Sequence, residues 1–130
     1  MATAIFGTAL NCIDGRTHLP VITWMCATLQ LQFVDLITEP GVDGLIAREP
    51  ERASQLLLPK ARLSIVRHGS PVLALVAHHD CLANPGSDQE HRDQLIAGVG
   101  VLRGWDLGVK VIALWVRSDW QVDVVQTRAG

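Results

Sequence analysis

The sequence contains no tyrosine and few aromatic residues, with two Phe and four Trp in 130 residues. It also lacks an excess of charge of one sign, because 11 Lys and Arg face 13 Asp and Glu and the net charge is -2. Proteins that bind nucleic acid normally present a basic face, so this balance gives no support to that class. We therefore expect no nucleic-acid partner.

Long hydrophobic runs are absent as well. The clearest run, residues 72–77, has the length of a buried strand and falls far short of the ~18 residues of a membrane span. No Lys or Arg precedes Arg16, so the basic start of a signal peptide is missing, and the apolar beginning of the chain predicts a first strand. We therefore expect a cytoplasmic protein without a membrane partner.

Cysteine is scarce, with three residues: Cys12, Cys26 and Cys81. An odd number in a reducing compartment argues against a disulfide framework, and metal binding or catalysis is the better use for at least two of them. Cys26 lies amid apolar residues in a predicted helix, and we expect it to be a core thiol.

The length and composition predict one domain over residues 1–130. The chain is shorter than the ~150 residues typical of a domain. Its hydrophobic fraction of 48%, charged fraction of 18% and mean hydropathy of +0.25 allow a sizeable core and exclude a disordered chain.

Strands alternate with helices in the predicted order. Apolar runs predict strands at residues 4–12, 33–38, 71–77 and 109–116, with a possible further edge strand at 120–126. Helical spacing predicts helices at 21–31, 51–68 and 88–105, with Pro59 breaking or kinking the second. Ser87 and Glu90 have the capping-box spacing at the start of the third. The alternation predicts an α/β fold with a mainly parallel sheet, because each helix supplies a crossover.

Two polar motifs directly follow predicted strands. Cys12, Asp14 and Arg16 form a C-x-D-x-R pattern after the first strand, and His78 and Cys81 form an H-x-x-C pattern after the third. Open parallel sheets place their ligand sites at the carboxyl ends of strands. If these two strands are neighbours with their helices on opposite faces, then Cys12, His78 and Cys81 form one cluster.

Two thiolates and one imidazole suit Zn²⁺, and three protein ligands leave a fourth position open, as in catalytic zinc sites. Asp14 is close enough to accept a hydrogen bond from a water activated at the metal, while Arg16 pairs with the carboxylate and keeps it ionised. Two alternatives remain open: composition alone allows His79 as the ligand, although the spacing favours His78, and Asp14 could instead close the site as a fourth ligand.

These motifs resemble those of the β-class carbonic anhydrases, zinc enzymes that interconvert carbon dioxide and bicarbonate. The stretches 12–16, 38–41, 78–85 and 114–116 are similar to a group of small proteins described as carbonic anhydrases of this kind. The resemblance implies zinc bound by Cys12, His78 and Cys81, with Asp14 and Arg16 as the catalytic dyad beside it. It also implies a four-stranded parallel sheet in the order 2-1-3-4, with helices on both faces, and a homodimer or higher homo-oligomer.

The sequence departs from the β-class pattern at several points. Leu82 follows the second cysteine where those enzymes usually have Gly, and the N-terminal helical arm and pocket Tyr are missing. Two other functions therefore stay open. One is a hydrolase of carbonyl sulfide or carbon disulfide on the same site. The other is a non-catalytic zinc-binding module, either closed by Asp14 or inactivated by Leu82 and a reduced pocket.

The remaining candidate residues receive structural interpretations. Asp80 is expected to serve its loop by hydrogen bonding. Three histidines are expected to be solvated near helix ends: His18, His68 and His91. Three tryptophans are expected to pack in the core or at a dimer interface: Trp105, Trp115 and Trp120.

Overall fold

A five-stranded sheet with helices on both faces forms the structure, a computed structural model that describes residues 4–126. The strands are β1 (Phe6–Asn11), β2 (Phe33–Thr38), β3 (Val72–His78), β4 (Lys110–Val116) and β5 (Val122–Val125). The helices are α1 (His18–Leu29), α2 (Val42–Arg48), α3 (Pro50–His68) and α4 (Asp88–Arg103).

The sheet order is β2-β1-β3-β4-β5, with the first four strands parallel and β5 antiparallel to β4. This confirms the predicted α/β fold, the order of the four parallel strands and the C-terminal edge strand. In the register of β1 with β3, Thr8 lies beside Leu73 and Leu10 beside Leu75. The adjacent strands β1 and β3 therefore end at the same edge of the sheet, and the loops that carry the two motifs emerge side by side.

The central strand β3 is buried along its whole length, which explains its continuous apolar sequence. Its side chains alternate between two cores. Leu73 and Leu75 pack with α2, α3 and α4 on one face, whereas Val72, Ala74 and Val76 pack with α1 on the other. The two cores hold β3 rigidly between β1 and β4, and so fix the position of the residues at its carboxyl end.

Helix α3 corrects the sequence-based expectation at Pro59. The sequence predicts a break or a kink at this residue, and the helix runs from Pro50 to His68 without interruption, so Pro59 does not break it. Proline removes one backbone donor, which frees the carbonyl four residues earlier, here that of Gln55. Both Pro59 and Gln55 are exposed, so water can satisfy that carbonyl. The helix ends at Gly69, whose φ of 67° gives a left-handed cap.

Helix α4 begins with the predicted capping box. The Ser87 hydroxyl accepts a hydrogen bond from the Glu90 backbone N–H at 3.1 Å, and the Glu90 carboxylate accepts one from the Ser87 backbone N–H at 3.4 Å. This pairing satisfies donors that would otherwise be free at the helix start. It fixes the end of the loop that follows β3.

Helix α2 is absent from the sequence-based assignment. The Pro40-Gly41 pair predicts only the end of β2, and a seven-residue helix that contains Gly44 has little helical propensity of its own. Its stability comes from packing, since Val42 and Ile46 are fully buried. Gly41 begins the helix in a left-handed conformation, with φ 56°.

The histidines expected to be solvated occupy different environments. His91 is 2% exposed and its Nδ1 donates to the Asp43 carboxylate, so the expectation for it is wrong. His18 is partly buried and bonded to the backbone, which also differs from the expectation. His68 is about half exposed, at the end of α3, and its Nδ1 lies 2.6 Å from the Asp35 carboxylate.

Two of the three tryptophans belong to the core on the α2–α4 face, as expected. Trp115 is buried, and Trp105 packs against the edge of that core while its ring N–H donates to the Ser54 hydroxyl. Trp120 packs on the other core, on the α1 face, and its ring also contacts Arg16.

Within residues 4–126, no helix combines the length and apolar character needed to cross a membrane.

Leu75→Ala is expected to lower the free energy of unfolding by about 2–5 kcal/mol, because it leaves a cavity in the fully buried centre of β3. Leu63→Ala is the control: Leu63 is exposed on α3, and its loss should change stability by less than about 0.5 kcal/mol. Denaturant unfolding monitored by tryptophan fluorescence measures both. Equal effects of the two variants would contradict this account of the core.

Candidate metal centre

Cys12 lies one residue beyond β1, with its side chain buried. Its Sγ accepts a hydrogen bond from the Gly41 backbone N–H at 3.4 Å, and its carbonyl oxygen lies 2.9 Å from Nε2 of His18. Burial raises the pKa of the Cys12 thiol, but the neighbouring His78 ring and the Gly41 N–H outweigh it and bring the pKa to about 7. The site thus favours the thiolate, the form that binds metal.

His78 is the last residue of β3 and is 1% exposed. Its Nδ1–H donates to the His79 carbonyl at 2.7 Å, which fixes the ring orientation. Its Nε2 is buried and has no hydrogen-bond partner among residues 4–126. Burial lowers the pKa of His78, but the Cys12 thiolate raises it, with a net increase. The pair therefore favours a positive charge beside the sulfur, where a metal cation can replace the proton.

Cys81 completes the cluster from the loop after β3. Its Sγ lies 3.9 Å from that of Cys12, and the ligand atoms of Cys12, His78 and Cys81 all lie within 4.8 Å of one another. Two thiolates, each ~2.3 Å from a tetrahedral zinc, would stand about 3.8 Å apart. The donor set and the sulfur separation therefore fit zinc. Burial and the charge of Cys12 raise the pKa of Cys81 to about 11, so metal binding there would release a proton.

The alternative histidine lies apart from this cluster. The His79 side chain is exposed, and its Nδ1 lies 3.8 Å from the Asp88 carboxylate at the start of α4. The group of mutually close ligand atoms contains His78 and not His79. The geometry therefore agrees with the spacing argument from the sequence.

Asp14 and Arg16 form a bidentate ion pair beside the cluster. Arg16 Nη2 lies 2.6 Å from Asp14 Oδ2, and Arg16 Nε lies 3.0 Å from Asp14 Oδ1. These hydrogen bonds hold the pKa of the Asp14 carboxyl at about 2 and raise that of the guanidinium. Asp14 is therefore ionised at neutral pH. It faces Arg16 and is not part of the group of mutually close ligand atoms.

Two further residues hold Arg16 in place. Asp80, in the loop between His78 and Cys81, accepts from Arg16 Nη1 at 3.3 Å through its carboxylate and from Nη2 at 3.1 Å through its carbonyl. Asp80 is thus a hydrogen-bonding residue, as expected, but its partner is Arg16 of the first motif. The ring of Trp120 lies 5.0 Å below the guanidinium carbon. Trp120 was missed as a neighbour of the site, because no local pattern relates it to a residue more than a hundred positions earlier.

Leu82, the departure from the β-class pattern, lies at the protein surface. Its side chain is 85% exposed, whereas the neighbouring Cys81 is 5% exposed. The larger side chain therefore does not fill the space between the three ligand atoms.

Comparisons with known proteins place the chain in a family. No curated protein matches it significantly. A carbonic anhydrase from Glaciozyma antarctica is similar over 92% of this chain and 81% of its own, with 11% identity and a TM-score of 0.60. The β-carbonic anhydrase isoform I of Trichomonas vaginalis is similar over 96% of this chain and 85% of its own, with 13% identity and a TM-score of 0.58. At such identities these likenesses concern the fold. The sequence itself matches the family described as "Putative carbonic anhydrase" over residues 2–126, and the chain therefore belongs to that family.

Proposed function

We propose that this protein is a zinc-dependent carbonic anhydrase that catalyses the reversible hydration of carbon dioxide to bicarbonate. The family membership supports the reaction. The observation that carries the proposal is the buried Nε2 of His78, which has no hydrogen-bond partner in the described part of the chain and lies within 4.8 Å of the sulfur atoms of Cys12 and Cys81. A buried polar atom without a partner is costly, and a metal ligand role removes that cost.

Cys12, His78 and Cys81 would hold the zinc through two sulfur atoms and one nitrogen. When bound in such a three-ligand site, zinc lowers the pKa of a coordinated water to about 7 and so supplies a nucleophile at neutral pH. The hydrogen bond from His78 Nδ1 to the His79 carbonyl keeps the ring oriented with Nε2 toward the sulfur atoms.

Asp14 would act as the hydrogen-bond acceptor that orients the attacking oxygen. Its carboxylate stays ionised because Arg16 holds it through Nε, Nη2 and its backbone N–H. Oδ1 accepts from Nε and from the backbone N–H, whereas Oδ2 accepts chiefly from Nη2 and has a further lone pair that can accept a hydrogen bond from water. The ion pair turns the carboxylate toward Arg16, which supports an open fourth position and disfavours the closed, non-catalytic alternative.

Zinc content and gas hydration together test the proposal. We expect about one zinc per chain and a stopped-flow rate of carbon dioxide hydration above that of buffer. Removal of the metal with a chelator should return the rate to the buffer level, and added zinc should restore it. A protein without stoichiometric zinc, or a zinc-loaded protein at the buffer rate, would contradict the proposal.

Parallel assays on carbonyl sulfide and carbon disulfide distinguish the alternative substrates, which the same site could hydrolyse. Faster turnover of either gas than of carbon dioxide would assign the protein to that hydrolase activity.

Three expectations from the sequence stay predictions: the single domain over residues 1–130, the homo-oligomer and the cytoplasmic location. Light scattering measures the oligomeric state directly.

A further inference from the structure

A buried carboxylate–imidazole pair, formed by Asp43 and His91, joins helices α2 and α4. His91 on α4 donates from Nδ1 to the Asp43 carboxylate on α2 at 2.5 Å, and both side chains are 3% exposed. The two residues are 48 positions apart in sequence, so the pair joins two separate helices. The His91 ring also lies 5.6 Å from that of Trp115 on β4. Buried polar groups are stable only when they are hydrogen-bonded, so separating Asp43 from His91 would be costly. The pair therefore holds α2 against α4, next to the sheet.

Asn84 links the Asp43–His91 pair to the loop that carries Cys81. Its side-chain N–H donates to Asp43 Oδ1 at 3.0 Å, and its side-chain oxygen accepts from Arg48 at 3.2 Å. Its backbone N–H donates to the carbonyl of Cys81 at 3.3 Å. Asp43 therefore connects with the ligand Cys81 through a single intervening residue.

The start of α2 contacts the other cysteine of the cluster, Cys12. The Gly41 backbone N–H, two residues before Asp43, donates to the sulfur of Cys12 at 3.4 Å. The turn packs tightly on Asn84: a Cβ at Gly41 would lie 2.8 Å from the Asn84 Cβ, and one at Gly44 would lie 2.7 Å from the Asn84 Cγ. A displacement of α2 would thus move both the Gly41 N–H and Asn84.

We infer that Asp43, Asn84 and His91 are positioning residues for the metal centre. They join helices α2 and α4 to the Cys81 loop, so that the Gly41 N–H faces the sulfur of Cys12 while Cys81 stays within reach of the same ion. This inference rests on the proposed zinc site and adds three residues that touch neither metal nor substrate. Partners that orient metal ligands typically contribute 10–100-fold to metal affinity.

Asp43→Asn tests this role while keeping the size of the side chain. The amide cannot accept equally from both His91 and Asn84, so we expect zinc affinity, measured by competition with a chromophoric chelator, to fall about 10–100-fold. With Co²⁺ in place of zinc, the thiolate-to-metal and ligand-field absorption bands should shift or broaden, because the geometry of Cys81 loosens. Unchanged affinity and an unchanged Co²⁺ spectrum would overturn the inference.

Asp35→Asn provides a matched control. Asp35 on β2 forms a similar pair with His68, at 2.6 Å, but its other side-chain contact is Ser64 on α3. This variant is expected to lose stability while keeping the zinc affinity and Co²⁺ spectrum of the wild type. If it lowers zinc affinity as much as Asp43→Asn at a similar loss of unfolding free energy, the effect is general destabilisation and the inference is wrong.

Asn84→Ala provides the decisive measurement if Asp43→Asn does not fold. It removes the link between Asp43 and the Cys81 loop and leaves the pair with His91 in place. It should lower zinc affinity within the same range, and wild-type affinity would overturn the inference. These measurements are independent of turnover: a wild-type protein that binds zinc without hydrating carbon dioxide would defeat the proposed function and leave the positioning role intact.

Discussion

Replacing Cys12 with serine is expected to remove most of the zinc from the purified protein and lower zinc affinity by at least about 100-fold, more than the loss of an orienting partner usually costs. Serine keeps the size of the side chain and can still accept from the Gly41 N–H. Its hydroxyl stays protonated at neutral pH, whereas the pKa of the Cys12 thiol is about 7. Because thiolates bind zinc and neutral hydroxyls bind it weakly, the substitution would remove the charge that attracts the ion.

Cys26→Ser is the matched control for this experiment. Cys26 is a free cysteine on α1 that packs against the core on that face, away from the group of close ligand atoms. Metal analysis and chelator competition on both variants give the comparison. Full zinc content in Cys12→Ser, or equal zinc loss in the two variants, would show that Cys12 is not a ligand.

The second large effect is expected at Asp14. Asp14→Asn should retain zinc and lower the rate of carbon dioxide hydration by about 10²–10⁴-fold, the usual contribution of a positioned acid–base group. The amide keeps the shape of the carboxylate but loses its charge and one acceptor oxygen. Arg16 then lacks its bidentate partner, and the attacking oxygen lacks an ionised acceptor.

Asp119→Asn serves as the control for charge loss at an Asp–Arg pair. Arg117 contacts the Asp119 carboxylate through Nε and Nη2, both at 3.1 Å, and this ion pair lowers the pKa of Asp119. That variant should keep both zinc and turnover. Loss of zinc in Asp14→Asn would instead identify Asp14 as a fourth ligand, and a wild-type rate would remove it from the mechanism.

Much of the fold could be predicted from local patterns in the sequence. The burial of β3 on both faces shows as an uninterrupted apolar run, and the Ser87–Glu90 capping box marks the start of α4. Two motifs directly after parallel strands predicted a shared edge of the sheet, and the observed order, with β1 beside β3, brings them together there. Each of these signals comes from a few adjacent residues, so the sequence carries it without reference to the rest of the chain.

The errors occur where contacts join residues far apart in the chain. Helix α2 has no strong local signal, because its stability comes from burying Val42 and Ile46. His91 looked like a solvated residue of a polar helix start, and only the approach of Asp43 from α2 gives it a buried partner. Pro59 is a different case, without a long-range contact: the sequence predicts a break or a kink, yet the helix continues past Pro59, whose exposed position on α3 allows water to satisfy the freed carbonyl.

The sequence by itself predicted which residues form the candidate site: two thiols, an imidazole and an Asp–Arg pair, each set placed directly after a strand. Tertiary structure alone decided the 3.9 Å separation of the two sulfur atoms and the contacts of Arg16 with Asp80 and Trp120. It also decided the burial of His78 Nε2, which has no hydrogen-bond partner between residues 4 and 126. The physical reason is that residue type and spacing are local properties of the chain. Burial, charge pairing and ligand geometry depend on elements that meet only after the sheet has formed.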